Sequence, residues 1–488
     1  MTDSPAARQA TDITMMDACA LADAIRAKKV SCVEVMAAYL DRIERLNPRV
    51  NAIVSLQGRG DCLAQARARD DDLARDDYRG WMHGFPQAIK DLAATKGIPT
   101  AQGSPLLKDF VPDADAIFVE RMKAAGSIII GKTNTPEFGL GSHSFNPVFG
   151  TTLNAYDQTK TAGGSSGGAA VALALRMLPV ADGSDHAGSL RNPAAFNNVL
   201  GLRPCYGRVP ANTEEVFLPQ LGVAGPMARN TADLAQLLAV QAGYDPRVPL
   251  SIHEDPAVFR APLGRYVKGL RLAWLGDFGG HLPIEPGILD LCRGALQVFD
   301  DLGCVVEEVV PDFDPERIWQ AWLILRRWQV GTTLAAFYRD PKKRALMKPE
   351  AQWEAEQGAK VSAFELSQAS AVRSAWYQTV RRLFERFDYL LVPTAQVFPF
   401  DAKKRWPEEV MGRRMDTYHR WMEVVIPVTM SGCPAISVPV GFNEAGLPMG
   451  MQIVGRNHGE RAVIEIAHAY EQATGSVEKA LPPLLMQG

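Results

Sequence analysis

The sequence predicts an α/β layered fold, and three observations carry that prediction. Amphipathic helical stretches alternate with short, β-branched apolar runs along most of the chain. Twice, a helical stretch stops at a glycine and passes at once into a strand pattern, around Gly126 and again around Gly303. The 488 residues are 47% hydrophobic and 22% charged, which supplies a buried sheet and rules out a disordered or fibrous chain.

An amphipathic helix is expected from Ser31 to Leu46. Ser31 and Glu34 form a capping box, and Val33, Met36, Ala37, Leu40 and Ile43 share one face. Asn47-Pro48 is expected to end it, because the residue before a proline avoids the helical region. A helix at 116–125 leads into Ser127-Ile-Ile-Ile, read as a buried strand, and a helix at 286–302 leads into a strand at 304–309. Further strands are expected at 270–275, 389–392, 435–440 and 449–454, with a last helix at 460–473. The charge-free run from Val424 to Asn443 contains Pro427, Pro434 and Pro439, so it reads as buried strands with proline-marked ends rather than a membrane span. Residues 313–385 are helical in pattern and hold five of the nine tryptophans, with Trp319 and Trp322 on one face. This segment is either a helical layer packed on the sheet or a lid whose aromatics line an apolar pocket.

Composition excludes several classes. Lys and Arg number 52 against 55 Asp and Glu, a net charge of -3, which lacks the positive field that phosphate contacts need. No nucleic-acid or membrane partner is therefore expected. Seven cysteines without CxxC spacing argue against a disulfide framework and a thiolate zinc site, and the scattered histidines imply no other metal site. The N-terminal segment lacks the apolar core of a signal peptide, so a cytoplasmic enzyme is expected.

Two motif matches fail on physical grounds. Gly126 to Thr133 fits the P-loop pattern, but three isoleucines occupy positions that should form an open phosphate-binding loop. Gly163 to Gly167 fits the nucleophile elbow, yet the preceding residues are polar and irregular rather than a strand.

The informative chemistry lies in residues 161–210. The run Gly163-Gly164-Ser165-Ser166-Gly167-Gly168 opens into an apolar helix, leaving its first N–H groups free for an oxygen ligand. Twenty-four residues after Ser165 comes Ser189, within Gly183-Ser184-Asp185-His186-Ala187-Gly188-Ser189-Leu190-Arg191. Small residues before a serine let consecutive N–H groups converge on one point, as an oxyanion hole requires. Upstream, Lys90 sits in the apolar context Ala88-Ile89-Lys90-Asp91. A buried lysine loses its proton more readily and can serve as a base.

These runs, together with Gly131-Lys132-Thr133-Asn134-Thr135-Pro136-Glu137, Gly201-Leu202-Arg203-Pro204 and Gly446-Leu447-Pro448, resemble the amidase signature family from about residue 12 to 475. The resemblance implies a large mixed, twisted β-sheet flanked by helices on both faces. It also implies one domain spanning 1–488: an N-terminal helical region (12–80), a signature core (81–312), the helical insertion or lid (313–385) and a C-terminal part of the core (386–475). It implies a Ser-cisSer-Lys triad in which Ser189 is the nucleophile, Ser165, after a cis peptide, the bridging serine, and Lys90 the general base. The backbone N–H groups of His186, Ala187, Gly188 and Ser189 would form the oxyanion hole. Gly139, Leu140, Gly141 and the His186 side chain would face substrate, and Asp185 and Arg191 would pair to hold the turn. No cofactor is implied. Ala187 stands where the family more often has glycine, which restricts the backbone of the hole.

The leading functional expectation is a freestanding amidase that hydrolyses a small or aryl amide, or a carbamate (a urethanase) or ester, through an acyl-enzyme. Its partner is a small-molecule amide, and self-association as a homodimer stays open. The alternative is the glutaminase subunit of a tRNA-dependent amidotransferase. That subunit usually has Asp-x-x-Gly-Pro where this chain has Gly222-Val-Ala-Gly225-Pro226, which, with the tryptophan-rich segment, favours the freestanding enzyme. A non-catalytic binding protein on the same scaffold is the third reading.

Overall fold

Eleven strands build the frame in the computed structural model, which describes residues 12–211, 213–218 and 220–486. The first eleven residues, on which the signal-peptide reading mostly rests, lie outside the described residues. A three-stranded sheet runs β1-β3-β2, where β1 is Ile53–Val54, β2 is Pro86–Lys90 and β3 is Ile128–Thr133. The larger sheet takes β4 (Ala181–Asp185), β5 (Leu200–Arg203), β6 (Val223–Ala228), β7 (Arg271–Trp274), β8 (Val305–Glu308), β9 (Tyr389–Pro393), β10 (Ala435–Phe442) and β11 (Pro448–Val454). Its order is β8-β7-β9-β11-β10-β5-β6-β4. Strand β7 runs parallel to both of its neighbours and the remaining pairs are antiparallel, so the sheet is mixed.

Alternation along the strands decides what each face covers. Leu272, Leu391, Ile436 and Ile453 join a core with the helices Cys32–Val50, Gly167–Ala174 and Glu460–Thr474. Ala273, Leu390, Val392 and Met449 face the other way, onto the helices Pro315–Arg339 and Ala363–Arg386. Helices therefore cover both faces. Trp319, Trp322 and Trp376 are fully buried in that second core, and the Trp319 and Trp322 rings lie 5.0 Å apart. Those indoles pack the layer onto the sheet; they do not line an apolar funnel.

Two elements differ from expectation. The helix capped by Ser31, which follows an earlier helix at Ala18–Arg26, keeps its capping box but continues through Pro48 to Val50. Pro48 sits in its last turn, and the Asn47 side chain accepts the N–H groups of Ala52 and Ile53 just beyond it. In the Val424–Asn443 run, the first half is helical over Ile426–Ser431. Pro427 occupies its first turn, where no N–H is required, and Gly432 at φ 71° ends it. The second half is the expected strand, with Pro439 at a register shift where a missing ladder donor is tolerated. Among the described residues, no helix is long and apolar enough to cross a membrane.

Candidate active site

Lys90, at the end of β2, is buried and its ammonium nitrogen is surrounded by hydroxyls. Lys90 Nζ lies 2.8 Å from Ser165 Oγ, 2.8 Å from Ser166 Oγ and 2.9 Å from Ser184 Oγ, with the Ser184 carbonyl at 3.3 Å. Burial lowers the Lys90 pKa to about 7, against Asp182 and Asp185, which favour the charged form. At neutral pH about half of such amines are free to accept a proton.

The glycine-serine run supplies the next group. The Gly164–Ser165 peptide bond is cis, the conformation the resemblance implied. Ser142 Oγ donates to the Gly164 carbonyl at 2.6 Å, and the Ser166 N–H donates to the Ser189 carbonyl at 3.2 Å. That last bond ties the two serine-bearing segments together, and Ser189 is itself buried.

The Ser189 turn is held by charge. Arg191 donates to both carboxylate oxygens of Asp185, at 2.9 and 3.0 Å, and Arg203 bonds the Asp185 carbonyl at 2.6 Å. Burial alone would raise the Asp185 pKa, but Arg191 and Arg203 hold it well below the usual carboxylate range. The Asp185 oxygens also accept the N–H groups of Gly188 (2.9 Å) and Leu190 (3.2 Å). The Gly188 N–H is therefore engaged inside the turn.

His186 leans toward the helical layer. Its Nε2 lies 3.2 Å from Gln329 Oε1 and its Nδ1 3.4 Å from Arg326 Nη1. Burial, then the nearby Arg326, lowers its pKa to about 3, so the ring is neutral. Arg326 is in turn fixed by Glu354 (2.7 Å) and by the Tyr418 hydroxyl (3.0 Å). Of the expected substrate loop, Gly139 passes closest: a Cβ there would stand 3.7 Å from Ser165 Oγ. Leu140 instead turns its side chain into a small core with Leu334, Met347 and Ala355, and Gly141 faces the Tyr418 ring. A cavity of about 530 Å³ ends on Lys90, Asp182, Ser184 and His186, within the usual size of ligand pockets.

Sequence reasoning passed over Ser166, Ser184 and Asp182, although all three lie inside the serine-rich segment. Gln329 and Arg326 lie some 140 residues from His186, and only their place on the Trp319-Trp322 helix face signals them. His281, Glu316 and Glu423 bring three ligand-type atoms within 4.8 Å, but Arg420 lies 2.5 Å from Glu316 and 2.8 Å from Glu423. A divalent cation there would have to displace a guanidinium.

Residues 34–464 match the Amidase family. The chain belongs to that family. It is an amidase-family enzyme acting on carbon–nitrogen bonds. A glutamyl-tRNA(Gln) amidotransferase subunit of Methylococcus capsulatus is 35% identical over 478 residues, covering 93% of this chain and 96% of that one. The same subunit from Alkaliphilus metalliredigens is 33% identical, covering 93% and 95%. Among solved structures, a bacterial aryl acylamidase of the amidase signature enzymes superimposes with TM-score 0.91 at 28% identity, covering 98% of this chain and 100% of that one.

These relatives correct two expectations. The reading as a freestanding amidase of a small or aryl amide is overturned by curated relatives that are subunits of an amidotransferase. Its tryptophan argument fails physically, because Trp319, Trp322 and Trp376 are core residues. The expectation of a small-molecule partner with no nucleic acid is overturned by the same relatives, whose name includes a tRNA. A net charge of -3 restricts only this chain's own phosphate contacts, not those of an assembly that contains it.

Proposed function

We propose that this amidase-family chain is the glutamine-hydrolysing subunit of a cytoplasmic, tRNA-dependent amidotransferase. The observation that carries the reading is the 35% identity, over nearly the full length of both chains, to the Methylococcus capsulatus amidotransferase subunit. The site chemistry supports it. Neutral Lys90 accepts the Ser165 proton, Ser165 takes the proton of Ser189, and Ser189 attacks the side-chain amide carbon. The N–H groups of His186, Ala187 and Ser189 receive the oxyanion, while the Gly188 N–H holds the turn through Asp185. The proton returns through Ser165 to the departing nitrogen, which leaves as ammonia, and water then releases glutamate by the same relay. Asp185 and Arg191 keep the turn rigid, and Gly139, where a Cβ would crowd Leu92, lets the loop pass beside Ser165. In this reading another subunit carries the tRNA contacts.

Glutaminase assays of the purified chain, alone and with the other subunits of its source, test the proposal. Glutamate release that requires both the partner and Ser189 supports it. Partner-independent turnover of an anilide, without any of glutamine, would sink it.

A further inference from the structure

Strands β2 and β4 are the facing edges of the two sheets, and a side chain joins them where a strand carbonyl would stand. The Lys90 backbone N–H lies 3.1 and 3.3 Å from the two carboxylate oxygens of Asp182. Asp182 is 1% exposed and reaches the wall of the cavity that ends on Lys90. Lys132 of β3, fully buried and bonded to the Ala93 carbonyl (2.6 Å) and Thr95 Oγ1 (2.9 Å), also acts on Asp182. Asp91 and Asp115 act on Lys132 as anions and Lys123 as a cation, while Asp185 acts on Lys90 from the far end of β4. The Asp91 carboxylate is occupied by the N–H groups of Ala101 and Gly103, each at 3.1 Å. Among the described residues, Asp182 is thus the one carboxylate that touches the Lys90 backbone and acts on both lysines.

We propose that Asp182 is a positioning residue that sets the basicity of Lys90: as an anion it holds a proton on the Lys90 amine, and as an acid it lets that proton go. The inference rests on Lys90 being the general base. Burial alone would make the lysine easily deprotonated but a poor proton acceptor, and a base works best when its pKa lies near the working pH. The carboxylate offsets part of that burial. Burial in turn raises the Asp182 pKa to about 6, against the pull of the Lys90 N–H and of both lysines. Asp182 answers to Lys132 as well as to Lys90, so its proton and that of the Lys90 amine are lost over overlapping pH ranges.

The probe is a fluorophosphonate, whose rate of labelling Ser189 depends on the base and not on the natural substrate. Labelling rates of the full chain are measured from pH 5 to 9. Wild type should show an acid limb shallower than a single-proton curve. Asp182→Asn keeps an acceptor for the Lys90 N–H, and it should move the limb about one pH unit lower, with unit slope and a plateau several-fold slower. Asp182→Ser should move the limb the same way. A variant limb superimposable on wild type, even with a slower plateau, overturns the proposal by making Asp182 only structural. If neither variant folds, the wild-type curve decides, and a single-proton limb counts against it. Lys90→Met serves as the control. Labelling that survives in it overturns the base reading itself, whereas its loss beside unshifted Asp182 variants overturns only the role of Asp182.

Discussion

Lys90 and Asp185 are two buried groups with opposite outcomes: burial drives Lys90 toward its neutral form, whereas arginine neighbours keep Asp185 charged. Burial lowers Lys90 to about 7, so kcat/KM should rise as the pH climbs through that value, as a continuous pH-rate profile would show. A limb absent above pH 5 would mean that another group is the base. Asp185 depends on Arg191 and Arg203, and loss of Arg191 breaks a buried ion pair and leaves the carboxylate to Arg203 alone. Arg191→Met should cost about 3–5 kcal/mol in chemical denaturation. Because the folded Asp185 value lies below the unfolded one of about 3.9, its ionisation contributes stability at neutral pH. That contribution should be lost as the pH falls below about 4 toward the folded value. The candidate site was legible at this scale because Ser165, Ser189, Asp185 and Arg191 fall in two short runs. Ser184 and Asp182 were hidden in plain sight, since their roles depend on β4 lying against β2.

Helix Pro315–Arg339 shows what an element adds. Trp319, Trp322, Arg326 and Gln329 fall on one face at helical spacing, so one stripe packs the core at one end and meets His186 at the other. Gln329→Leu should release the His186 ring and raise KM several-fold with a smaller change in kcat, while thermal unfolding moves little. Equal losses in kcat and kcat/KM would show that His186 matters only in the transition state. The helices and strands of the sheet were legible because their hydrophobic periods are regular. The run from Val424 to Asn443 was not, because a continuous apolar stretch carries no period and Pro427 suits a helix's first turn as well as a strand's end.

At the scale of the whole molecule, Lys90 comes from one sheet and Ser189 from the loop after the edge strand of another, so the site exists only when both sheets are in place. Function was least legible here. Net charge and aromatic content are averages over the chain, whereas membership of an assembly is written in surface residues that no local motif marks. The measurement that bears most directly on the central claim uses glutamine labelled with ¹⁵N at its side-chain amide. The chain is combined with its source's remaining amidotransferase subunits, ATP, Mg²⁺ and glutamate-charged tRNA. The label should appear in glutaminyl-tRNA with the wild-type chain and vanish with Ser189→Ala. Label that stays in glutamine with the wild-type chain, in an assembly that still accepts free ammonia, would contradict the account.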